Sequence, residues 1–312
     1  MPHRSALLST SVIGLALAAS LLAAPPGATS SALSTIDVPG ATFVSASGIN
    51  AHGDVIGRYV SAGVTHGFVL TDGLWRGCDD DSPDDGPEGE RRDPRREERR
   101  RTPFFTTIDV PGASFTAGRG INDRCEVVGN YTSAGVQHGF QWRKGAFQTV
   151  DVPGAVATGA FGINGRGDIV GSYFAGGANH AYLLRHDTFV TVDVPNSNSS
   201  QAFAIDARGD IVGDYVTAGV LHGFLLSAGQ FTPIDFPGAS STGGRGLNSR
   251  GEIVGEYVDG GGTHGFLLSD GAFSSIDVPG ASLTNALGIN RRGEIVGRYI
   301  VAGVSHGVLF DR

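Results

Sequence analysis

One histidine and one aspartate recur through the chain at fixed spacing. The histidines are His66, His138, His180, His222, His264 and His306; the aspartates are Asp37, Asp109, Asp151, Asp193, Asp235 and Asp277. Histidine titrates near neutrality and ligates metals, so a His–Asp set admits acid–base or metal chemistry. Catalysis needs one asymmetric site, however, whereas equal copies indicate a hydrogen-bonded pair that holds each copy together. We therefore expect a structural role for these residues, no catalytic residue among them, no metal and no cofactor. No H-E-x-x-H, C-x-x-C or G-x-S-x-G sequence occurs, and no phosphate-cradling loop.

The positions that vary while their neighbours stay constant carry more information. One follows a recurring [IV]-V-G (I-G in the first copy) and holds Arg58, Asn130, Ser172, Asp214, Glu256 and Arg298, all polar. A second lies before G-[IL]-N and holds Ser47, Arg119, Phe161, Phe203, Arg245 and Leu287, Phe203 preceding Ala204 instead of Gly. Guanidinium groups clamp carboxylates, and hydroxyls orient sugars, so Arg58, Asn130, Ser172, Asp214, Glu256, Arg298, Arg119 and Arg245 are the candidate binding residues. The plainer alternative is a solvated strand end for the first set and mixed packing for the second.

These residues are positioned by a repeat. The aspartates from Asp109 to Asp277 are 42 residues apart, and Asp37 precedes Asp109 by 72. A fixed period in this range means one supersecondary unit stacked on its neighbours. The copy from Phe231 to Ala272 reads as four short strands: Phe231–Phe236, one ending at Gly246-Leu247-Asn248, Glu252–Tyr257 and His264–Leu268. Turns at Pro237-Gly238, Asn248–Gly251 and Ser269–Gly271 separate them. No copy has a sustained helical apolar pattern. Four strands in about 40–45 residues is the spacing of a propeller blade. We expect an all-β, six-bladed β-propeller of six 42-residue four-stranded repeats. The first copy starts, and the last stops, out of phase. Leu33–Val38 is therefore expected to pair with His306–Phe310 as the outer strand of the last blade, closing the ring. An open β-solenoid is the alternative.

The pattern G-I-N-x-x-G-x-[IV]-V-G-x-Y followed by H-G-F resembles the HAF family of extracellular bacterial repeat proteins. The tripeptide stands as H-G-F at His66, His138, His222 and His264, as His180-Ala181-Tyr182, and as His306-Gly307-Val308. No copy is a literal His-Ala-Phe. The resemblance implies export and repetition and no established activity.

Residues 1–32 read as a signal peptide: a basic head at Arg4, an apolar stretch from Ala6 to Ala24, and small residues at Ser30-Ser31-Ala32. Residues 33–312 form one domain, since successive copies leave no room for a boundary. The exception is 76–103, an acidic block followed by an arginine-rich one with almost no apolar side chain. Such a segment cannot bury enough surface to offset its ordering entropy, and we expect a disordered insertion in the first blade. The arginine run does not point to nucleic acid, because its acidic neighbours cancel its field and the chain carries net charge −8. No second long apolar run exists, so no membrane span is expected after signal cleavage. The two cysteines, Cys78 and Cys125, are expected to form a disulfide, since an exported compartment permits oxidation and Cys125 replaces a turn glycine.

The expected function is a secreted or extracytoplasmic, non-enzymatic binding or cell-surface scaffold, with an extracellular glycan or a surface protein as partner. Arg58 and Arg298 would clamp an acidic ligand, Asp214 and Glu256 would form a negative sector, and the Ser/Thr of the P-G-A-S-x-T loops would add hydroxyls. The rival class is an extracellular glycan-acting hydrolase or lyase using Asp214 and Glu256 as an acid–base pair.

Overall fold

The computed structural model describes residues 32–71 and 104–311. The segment read as a leader (except Ala32), the charged insertion and Cys78 lie outside the described residues. Among the described residues, regular structure is all β, in 24 strands, and no helix is long and apolar enough to cross a membrane.

The strands fall into antiparallel groups of four that follow the repeat. In the group containing the fifth G-[IL]-N, Ser241–Leu247 pairs with Ile253–Asp259, that strand with Gly262–Ser269, and that with Ala272–Ile276. The first group comprises Phe43–Ile49, Val55–Ser61, Val64–Thr71 and Phe104–Ile108. The insertion therefore enters between its third and fourth strands. The last group holds Leu283–Ile289, Ile295–Val301 and Val304–Asp311. Its fourth strand comes from the other end of the chain: Ala32–Ile36 pairs with Val304–Asp311, Leu33 opposite Phe310 and Ile36 opposite Gly307. The strand starts one residue inside the segment read as the leader.

The apolar core lies between groups. Ile56, Val69 and Ile108 of the first group pack with Ile121, Val127 and Phe140 of the second. Val254 and Leu267 of the fifth pack with Ile289, Ile295 and Val308 of the sixth, and Val296 of the sixth packs with Val44, Ile49 and Phe68 of the first. Each group is buried on both faces, so its strands carry runs such as Ile-Val-Gly instead of strict alternation. The glycine of that run has a packing reason: a Cβ on Gly57 would fall 2.7 Å from the ring of fully buried Phe68, its cross-strand partner.

Adjacent groups are also joined by the Asn of G-[IL]-N. Asn248 Oδ1 accepts the N–H groups of Arg250 and Glu252, which closes the turn, and its Nδ2 donates to the carbonyl of Asn290 at 3.0 Å. Asn122 and Asn164 repeat this reach to the next group, and Asn290 donates back to Asn50 O at 3.0 Å. Asp206 stands at this position in the fourth group and has no amide to donate. It is 5% exposed, so this difference falls in a buried turn, not in a freely variable loop. At the last turn position Cys125 has φ 57°, where the other copies have positive-φ glycines. Cys125 is disulfide-bonded.

Candidate functional site

The second variable set lines one cavity because of a backbone irregularity. In each group the pairing of the first two strands shifts register by one residue, as between Ala46 and Gly48 or between Gly244 and Gly246. A bulge leaves one residue unpaired and re-aims its side chain. That residue is Ser47, Arg119, Phe161, Phe203, Arg245 or Leu287, and all six line one cavity of about 90 Å³. The glycine that follows lets the groups converge: a Cβ on Gly48 would lie 2.9 Å from Arg119 O, and one on Gly120 would lie 2.7 Å from Phe161 O.

The first variable set sits on the second strand of each group, across from the residue two before the bulge, as in Ser45↔Arg58 and Asn285↔Arg298. Asn130, Ser172 and Asp214 are buried, and Arg58, Glu256 and Arg298 partly so. These are not solvated strand ends.

Electrostatics divide the site. Arg245 reaches Asp214 Oδ2 at 2.8 Å through Nη1, and Glu256 Oε1 at 2.5 Å through Nη2 and 2.8 Å through Nε. Burial opposes its charge, but the Glu256 and Asp214 carboxylates outweigh this and hold its pKa above the usual guanidinium value. Burial raises the pKa of Asp214 against the opposing pull of Arg245. The two carboxylates of the negative sector expected beside the arginines are thus both engaged by one arginine of the other set.

Arg58, Arg119 and Arg298 have no carboxylate in ion-pair reach among the described residues. Arg119 Nε donates to Asn130 Oδ1 at 3.0 Å and Arg298 Nε to Asn285 Oδ1 at 2.9 Å. Arg58 Nε is buried with no hydrogen-bond partner, as is Ser47 Oγ in the same group. Burial, then the charge of Arg298, lowers the pKa of Arg58; burial, then Arg58 and Arg245, lowers that of Arg119. Burial lowers that of Arg298, partly offset by Glu256.

Aromatic rings replace the missing counter-ions. The guanidiniums of Arg58 and Arg298 lie 5.1 and 5.7 Å from the centroid of one ring, Phe43. Arg245 lies 4.1 Å from Phe203 and Arg119 5.8 Å from Phe161, and the two phenylalanines stack at 5.3 Å. Phe43, Asn285, Gln201 and Gln137 were not singled out from the sequence. Gln201 donates to Ser172 Oγ, and Gln137 accepts from Asn130. The signal was available: Asn285 and Gln201 occupy the cross-strand position that is Ser, Ala or Gly in the other copies.

The hydroxyls of the P-G-A-S-x-T loops do not surround the site as expected. Thr116, Thr158, Ser200, Thr242 and Thr284 are buried and accept the N–H of Val110, Val152, Val194, Phe236 and Val278. Ser114, Ser240 and Ser282 donate to strand carbonyls. These oxygens are engaged within the turns.

The His–Asp residues lie away from the cavity lining. Nδ1 of His66, His138, His180, His222, His264 and His306 lies 2.6–3.0 Å from Asp109, Asp151, Asp193, Asp235, Asp277 and Asp37, respectively. Each imidazole stacks on the tyrosine across from it, as His66 does on Tyr59 at 5.1 Å. His52, Asp54 and Cys125 also cluster, but a disulfide sulfur is not a thiolate ligand.

No protein-family model and no curated protein matches the chain. Among solved structures, a streptogramin B lyase is similar over 89% of this chain and 97% of its own, at 12% identity and TM-score 0.48. A catalytically inactive virginiamycin B lyase from Staphylococcus aureus with quinupristin matches over 89% and 98%, at 12% identity and TM-score 0.44. TolB from Acinetobacter baumannii matches over 73% of this chain and 52% of its own, at 11% identity and TM-score 0.49.

Proposed function

We propose that the chain is a closed six-bladed β-propeller, an exported protein of HAF type, acting as a non-enzymatic binding module with its ligand side at the axial channel. One observation carries the binding reading: one set of variable positions lines a single cavity, and the other set touches it through Asp214–Arg245 and Asn130–Arg119. A repeated frame with a non-repeated centre is how a fold presents a specific surface. Closure is supported by the Ala32–Ile36 pairing and by the Asn290–Asn50 hydrogen bond. Export is supported by the leader-like segment at residues 1–32.

The hydrolase or lyase reading needs Asp214 and Glu256 to exchange protons with substrate. Arg245 occupies an oxygen of each, which favours binding over acid–base work. Extracellular glycans remain the first ligands to screen. The purified mature domain applied to a glycan array is expected to retain a small set of related glycans unchanged. Retention of none, or cleavage of a retained glycan, would overturn the proposal.

A further inference from the structure

Arg119 and Arg245 line the cavity; Arg58 and Arg298 sit on the second strands of their groups, and the two carboxylates of that strand set, Asp214 and Glu256, are both within ion-pair distance of Arg245. The positive surplus is concentrated where the sixth group meets the first. There Arg58 and Arg298 share the ring of Phe43; Arg58 faces the like charge of Arg298, and Glu256 only partly offsets the burial of Arg298. Unpaired cations in a restricted site are unfavourable unless a counter-ion is supplied. The ring quadrupole of Phe43 offsets only part of this.

Two further features point to a ligand. Arg58 Nε and Ser47 Oγ are buried without a partner, although nearly all buried polar atoms in proteins have one. The fixed positions of Arg119 and Arg298 come from amides, Asn130 and Asn285, which orient a guanidinium without neutralising it. A purely structural role would be met by a carboxylate at either place, as it is at Arg245.

We propose that Arg58 and Arg298, with Arg119 beside them, form an oxyanion site at the axis, and that its natural occupant is the acidic group of a hydroxylated ligand such as an acidic sugar. This rests on the binding-module reading and names its ligand class. The guanidiniums donate paired hydrogen bonds to the oxyanion, Phe43 holds both arginines in place, and Ser47 Oγ is the remaining donor. The loop hydroxyls take no part, because they are engaged in their own turns.

The test is calorimetric titration of the mature domain at low salt with D-glucuronate, inorganic sulfate and neutral D-glucose. Glucuronate is expected to bind in the millimolar range or tighter and glucose not to bind. Arg58→Gln and Arg298→Gln are each expected to weaken glucuronate about tenfold or more. Arg298→Lys, which keeps the charge and loses the fork, provides a second variant that disturbs folding less and should lie between wild type and Arg298→Gln. Binding of sulfate without glucuronate would support the oxyanion site and assign it to sulfated ligands. Binding of neither ion to the wild type, equal binding of glucose, or unchanged affinity in all three variants would overturn the site. A neutral glycan found on the array with no anion bound would refute the site alone. Anion binding with an empty array would retain the site and refute glycan recognition.

Discussion

His306 Nδ1 lies 2.9 Å from Asp37 Oδ1, although the two residues are 269 positions apart. In four other groups the same pair is 13 residues apart, as His222 and Asp235 are, and in the first group, which carries the insertion, it is 43 apart. The sixth group thus completes its repeated pair with a residue from the N-terminal strand. Tyr299 and Thr35 do the same through their hydroxyls at 2.9 Å.

This strand should therefore contribute far more stability than its length suggests. Deleting 33–38 removes buried Ile36 and Val38, about 3–6 kcal/mol of apolar burial, and opens a sheet edge. The expected fall in melting temperature is about 10 °C or more. Deleting 79–100 is expected to change it by less than about 2 °C, because that segment lacks apolar side chains. Equal effects in thermal unfolding would refute the role assigned to the strand.

Asp206 interrupts the inter-group contacts made by Asn122, Asn164, Asn248 and Asn290. Its Oδ1 already closes the turn by accepting from Arg208, Gly209 and Asp210, which an Asn oxygen can also do. Asp206→Asn adds an amide that can reach Asn248 O. It loses an ion pair with Arg208, whose side chain is 58% exposed. We expect a gain of about 1 kcal/mol in urea unfolding. A loss would mean that the ion pair outweighs the missing hydrogen bond.

Tyr182 occupies the buried ring position that is Phe in four other groups, and its hydroxyl has no partner. Tyr182→Phe removes an unsatisfied buried oxygen while keeping the ring. The variant should be more stable by about 1 kcal/mol. Chemical denaturation that finds it destabilised would show that the hydroxyl is satisfied in solution.

Arg245 is the single counter-ion of Asp214 and Glu256 among the described residues. Arg245→Met leaves both carboxylates unpaired in a restricted site and should destabilise the protein by about 3–5 kcal/mol. Combining it with Asp214→Asn and Glu256→Gln should restore most of that loss. Failure of the triple variant to recover, measured by denaturant midpoints, would assign the effect to lost packing on Phe203.

The sequence by itself determined the repeat, the four strands per copy, their turns and the positions that vary among constant neighbours. These follow from local chemistry: Pro-Gly and Asn-x-x-Gly set turns, and a 42-residue period puts like residues in like places. It also placed the strand Leu33–Val38 beside His306–Phe310, because the ends of the chain are out of phase. The tertiary structure alone decided how the variable residues use their charge. A register shift turns Arg119 and Arg245 toward a shared cavity, and nothing in the spacing of a strand reveals a bulge. Asp214 and Arg245 are 31 residues apart in neighbouring groups, and only the convergence of those groups makes them partners. That pairing engages both carboxylates of the expected negative sector and leaves Arg58 and Arg298 over Phe43 without an ion-pair partner among the described residues, while the loop hydroxyls of the Thr116 position fold inward to backbone N–H groups that burial would otherwise leave unsatisfied.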